Sequence, residues 1–97
     1  MGYITTFAGS ETVADEGTIT LDTGVSGWGE AMAGDMDAFV RFVFKSDGTV
    51  TLIDFSYGNV NNADADGYFC VYDGGTGVVL KNRLGSSKTV RYKITYS

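Results

Sequence analysis

The sequence predicts an all-β chain: a small antiparallel β-sandwich, jelly-roll-like, with about eight short strands. Three observations carry that expectation. Along the last stretch, Val90, Tyr92, Ile94 and Tyr96 alternate with Arg91, Lys93 and Thr95, the period of two of a half-buried antiparallel strand. Asp47-Gly48 stands between two apolar runs, which is a hairpin signal. No segment supports a helix, because the one tolerant stretch, residues 30–33, is closed by Gly29 and Gly34.

The elements follow in order. Strands are expected over residues 4–7, 18–21 and 28–32, with residues 8–17 read as a long loop. The segment from Phe39 to Phe55 reads as a hairpin. A two-residue loop would set Phe44 against Thr51 and mix aromatic with hydroxyl side chains. A three-residue loop, Ser46-Asp47-Gly48, pairs Phe44 with Val50 and Phe42 with Leu52, and leaves Lys45 with Thr49 and Val43 with Thr51 on the other face. The second register separates polarity better, and it requires Gly48 in the left-handed region. Residues 56–67 read as a second long loop, followed by a strand over 68–72. Next, Val78, Leu80, Asn82 and Leu84 share one face of a strand, and Val79, Lys81 and Arg83 share the other. Gly85-Ser86-Ser87-Lys88 is the turn before the last strand.

Length and composition suit one domain over residues 1–97. The chain is 43% hydrophobic and 13% aromatic, enough for one core without staples. It has 14 Gly, well above the usual ~7%, and no Pro, which points to many tight turns. Cys70 is the single cysteine, so no internal disulfide forms and no oxidising compartment is needed. Residues 1–20 lack the basic start and apolar run of a signal peptide, and no stretch approaches the ~18 apolar residues of a membrane span. The start at Met1 fits a short reading frame or an expressed fragment. Net charge is −5, which argues against nucleic acid as a partner.

Catalytic chemistry finds little support. There is no His. Cys70 lies in an apolar run where a thiol is inert. Asp35 with Asp37, and Asp15 with Glu16, could flank a sugar bond but sit in turn-like stretches that favour Asp for backbone reasons. The expectation is a chain that is not an enzyme and has no cofactor. One stretch is sharper. Asn62, Asp64, Asp66 and Gly67 are spaced like the front of a calcium loop. Against that, no helix flanks them, and an extended strand would carry Asp73 ~20 Å from Gly67. A polar turn is therefore expected, with a weak calcium or magnesium site at Asn62, Asp64 and Asp66 as the alternative. For ligand binding, Tyr57 with Asn59, Asn61 and Asn62 joins an amphipathic ring to amides on a loop. Trp28, between two glycines, could stack on a sugar, but a lone Trp in so small a sandwich is expected in the core.

The stretches "WGEAMAGDMDAFVRFVFKSDGTVTLI", "NVNNADADGYFCVYDGGTGVVLKNRLG" and "VRYKITY" resemble the β-sandwich domains of bacteriophage and prophage virion proteins: distal tail fibres, related appendages and capsid-surface fibres. The resemblance runs from Thr18 to Tyr96 and is densest at "CVYDGGTGVVLKNRLG". It implies a structural or host-attachment module of a phage particle, a tail-fibre tip or decoration domain assembled in the bacterial cytoplasm into a virion. Its implied partners are other virion proteins, further copies of itself in a trimer, and a cell-surface glycan. A free carbohydrate-binding module or accessory domain is the alternative. No site residues follow from the resemblance.

Charge is unevenly placed. Residues 1–66 hold eleven of the twelve acids, while residues 81–97 hold Lys81, Arg83, Lys88, Arg91 and Lys93 and no acid. If the last two strands paired through residues 85–88, like charges would oppose one another. Either the strands lie in different sheets, or acids reach this face from elsewhere in the fold or from a symmetry-related subunit. The expectation is a closed homo-oligomer, a trimer, with such charges at its interface.

Overall fold

The computed structural model describes residues 5–21, 24–56, 58–75 and 77–97. Among these residues the chain forms nine strands and no helix: β1 (Thr5–Val13), β2 (Thr18–Thr20), β3 (Gly27–Ala33), β4 (Ala38–Phe44), β5 (Val50–Phe55), β6 (Val60–Asn61), β7 (Phe69–Asp73), β8 (Val78–Asn82) and β9 (Lys88–Tyr96). They make a five-stranded sheet in the order β1-β9-β3-β4-β5 and a four-stranded sheet in the order β2-β8-β7-β6. The nesting of β1 with β9 and β2 with β8 is jelly-roll-like, whereas β3, β4 and β5 stay in one sheet as a meander.

The two inner faces meet in one apolar core. Val40, Phe42, Val90 and Ile94 from the larger sheet pack with Phe69, Val71, Val78 and Leu80 from the smaller. Along β3 the inner positions are Gly27, Gly29, Ala31 and Ala33, all small. The reason is crowding from both neighbours. A side chain at Gly27 would strike the Thr95 carbonyl, and one at Gly29 would strike Ile94 and stand 2.9 Å from the Lys93 carbonyl oxygen.

The central hairpin takes the register expected from its polarity. Phe44 faces Val50, Val43 faces Thr51 and Phe42 faces Leu52. Gly48 has φ of +97°, and its N–H donates to the Lys45 carbonyl at 3.0 Å. Asp47 accepts the Thr49 N–H at 2.9 Å and fixes the turn.

Three expectations are corrected and one open alternative is decided. Residues 8–13 are not loop but part of β1, paired with β9 over its whole length. The loop expected over 56–67 contains β6, whose pairing with β7 is parallel in an otherwise antiparallel fold. The alternative left open for the last two strands is decided: β8 and β9 belong to different sheets, and residues 83–87 carry the chain between them. Trp28 is not in the core. It is 47% exposed, on the outer face of β3, because the strand's period of two sends it opposite to Gly27 and Gly29.

Both crossings between the sheets at one end converge on Asn82, the single fully buried polar side chain among the described residues. Its amide nitrogen donates to the carbonyls of Val13 at 2.9 Å and Ser86 at 2.8 Å, and its amide oxygen accepts the Leu84 N–H at 3.1 Å. Its backbone carbonyl accepts the Glu16 N–H. One residue thus fastens the β1–β2 and β8–β9 connections together.

Candidate binding face around Trp28

The outer face of the larger sheet carries three rows of side chains across β9, β3 and β4. The pairings set Thr95, Trp28 and Val43 in the first row, Lys93, Glu30 and Arg41 in the second, and Arg91, Met32 and Phe39 in the third. With strands ~4.8 Å apart and residues rising ~3.3 Å, the grid spans ~10 Å by ~13 Å. A shallow depression of about 230 Å³ lies between Trp28, Glu30, Arg41, Lys93 and Thr95.

Its chemistry is a ring beside exchangeable polar groups. Trp28 presents an aromatic surface flanked by the Thr95 hydroxyl and the aliphatic Val43. Glu30 lies between two cations and meets Arg41 at 3.5 Å, with the two side chains 43% and 57% exposed. An exposed pair of this kind contributes little to stability. Both groups can therefore turn to a ligand's hydroxyls at small cost. The Arg41 guanidinium also sits 6.0 Å from the centre of the Phe39 ring.

The other expected ligand residues lie elsewhere. Tyr57 falls outside the described residues. Asn59 is a tie rather than an open amide. Its oxygen accepts the Ser56 hydroxyl and its nitrogen donates to the Asp37 carbonyl, so it joins the β5–β6 connection to the β3–β4 turn. Asn61 is within β6, half-buried, paired with Cys70. Asn62 donates to the Val50 carbonyl at 3.3 Å. Asn59 meets the turn beyond Ala33, five residues along β3 from Trp28, or ~16 Å of extended chain, so these amides do not join the Trp28 face.

Asp64 and Asp66 converge on cations of β8 and the residue after it. Asp64 meets Lys81 at 3.1 Å and Arg83 at 3.2 Å, and Asp66 stands 3.8 Å from Arg83. Arg83 also meets Glu16 at 2.8 Å. The hydrogen bond from Lys81, helped by the charges of Lys81 and Arg83, holds the Asp64 carboxyl below its ordinary value and raises Lys81 in turn. The carboxylates that resemble calcium ligands thus face cations of the same chain, Asp64 closely and the exposed Asp66 at longer range. Asp73 ends β7 and accepts the Gly75 N–H at 2.8 Å, a turn role. Among the described residues no three His, Cys, Asp or Glu side chains are grouped to hold a metal ion.

The same ion pairs answer the like-charge conflict. Lys81 and Arg83 find their acids inside the fold, and β9 lies in the other sheet, so the conflict gives no reason for a subunit contact. Three of the four acids considered for catalysis, Asp15, Glu16 and Asp37, are also engaged. Asp37 meets Lys88 at 3.0 Å, and Asp15 accepts the Gly85 N–H at 3.1 Å. Cys70 is buried, with its sulfur 3.4 Å from the Ala65 nitrogen and 3.3 Å from the Ala65 oxygen, and burial pushes its thiol up.

Sequence reasoning weighed Trp28 but missed Glu30, Arg41, Lys93 and Thr95 as its neighbours. The signal was the alternation of small and large residues in Gly27–Ala33, which places Trp28, Glu30 and Met32 on one face. Comparison of the chain with protein-family models, curated proteins and solved structures finds no match.

Proposed function

We propose that this chain is a non-catalytic recognition module that binds a saccharide on the Trp28 face, serving as a host-attachment or decoration domain of a phage particle. One observation carries the binding part: an exposed Trp at the centre of a sheet, beside Glu30, Arg41, Lys93 and Thr95. A sugar ring offers axial C–H groups to an aromatic face and hydroxyls to charged side chains, and this grid supplies both. The virion part rests on the resemblance of the sequence to phage sandwich domains. It implies homo-oligomers, a trimer in fibre-like settings, together with other virion proteins as partners. A free carbohydrate-binding module is the alternative reading, and the same face would serve it.

A glycan array probed with the wild-type chain and with Trp28→Ala tests the binding. Retained glycan spots for the wild type and their loss in the variant are expected. Equal spots, or none for either protein, contradict it.

A further inference from the structure

A second aromatic surface lies at the open edge of the sandwich, where the edge strands β1 and β2 of the two sheets face each other. Between them runs a groove of about 700 Å³ lined by Phe7, Glu11, Thr18, Thr20, Tyr92 and Tyr96, with Ile19, Leu21 and Val25 as its apolar wall. We propose that this groove binds an organic cation of the quaternary ammonium class.

The floor is built from β1 and β9. Phe7, Gly9 and Glu11 oppose Ile94, Tyr92 and Val90, so they occupy the core-side face of β1. The Tyr92 ring lies across Gly9: a Cβ there would stand 2.5 Å from the Tyr92 hydroxyl oxygen. Only a glycine lets the ring lie down against the strand. Phe7 meets the same ring from one side, with centroids 5.9 Å apart and planes at 45°, and remains 48% exposed. Glu11, two residues on from Gly9 along the same face of β1, lines the same groove and is exposed.

The charge selects the ligand. Glu11 is the single charged side chain among the described lining residues, and it meets no cation among the described residues. A carboxylate beside electron-rich ring faces favours a cation. A quaternary ammonium donates no hydrogen bond and is weakly hydrated, so it suits rings plus one carboxylate. A groove of this volume also accommodates the body that carries the head group.

The test is a titration of the whole chain with choline chloride, followed by amide chemical shifts, alongside 3,3-dimethyl-1-butanol, the neutral isostere. Choline should shift the amides around Phe7, Gly9, Glu11 and Tyr92, and the isostere should bind at least tenfold more weakly. Glu11→Gln, at an exposed edge position, should weaken choline at least tenfold, while Trp28→Ala leaves it unchanged. That last arm separates this site from the saccharide face. Phosphocholine in a third arm distinguishes the sources: binding at least equal to choline points to a phosphate-linked head group, and weaker binding to a free quaternary ammonium compound without phosphate. Equal affinity for choline and its isostere, no loss in Glu11→Gln, or shifts confined to the Trp28 face would overturn the proposal.

Discussion

Trp28 shows how residue type misleads where pattern does not. Its average burial argues for the core, yet its phase along β3 puts it outside, since the inward positions are Gly27, Gly29, Ala31 and Ala33. Those small residues are as constrained as large ones. Gly29→Ala places a methyl against Ile94 and the fixed Lys93 carbonyl, so it should destabilise by ~1–3 kcal/mol in a denaturant titration, the cost of overpacking. Asn82 was legible as a member of an apolar face, and its bonds to Leu84 and Ser86 are local, but its bond to Val13 was not legible, because that residue is 69 positions away in the chain and in the other sheet. Asn82→Ala leaves two carbonyls and an N–H without that partner and should cost ~2–4 kcal/mol. A loss below ~1 kcal/mol would show that water takes over these bonds.

At the level of elements, legibility followed polarity. The β4–β5 register was readable because its two faces differ in character and Asp47-Gly48 fixes the loop. β1 was readable only at its start, in the strand expected over residues 4–7; residues 8–13 were not, since only Val13 among the described side chains of β1 is buried and its ladder to β9 is held by backbone bonds that leave no apolar pattern. β6 is two residues long, too short for any period. The loop before β7 was read as polar, and its ties to Lys81 and Arg83 came from long-range packing that spacing does not encode. Those ties give a pH signature. The folded-state value of Asp64 lies below its unfolded value, so its contribution is present above the ordinary carboxylate range and is lost as pH falls through the folded value. Thermal stability should drop below about pH 4. Asp64→Asn should be less stable than the wild type at neutral pH and show a shallower acid decline. A parallel decline in both proteins would assign the effect to other acids.

For the whole molecule, the all-β sandwich was legible from turn spacing and period two, and its division of charge was partly so. The basic C-terminal third is answered by acids from the first two-thirds at Glu16, Asp64 and Asp37. Arg91 and Lys93 stay on the outer face, beside Glu30 and Met32. The fold therefore leaves cations around Trp28 in a chain of net charge −5. Light scattering at micromolar concentration checks the assembly that the phage reading implies: a trimer is expected, and a monomer at every concentration and at low salt would leave the single-chain binding module.

The central claim, recognition at the Trp28 face, has a direct optical reporter because Trp28 is the single tryptophan of the chain. Its emission should start near that of a solvated indole and shift to the blue, with protection from iodide quenching, when a saccharide identified on the array is titrated in. Saturable binding of that saccharide with no change in Trp28 emission or quenching would place recognition elsewhere on the molecule and contradict the account.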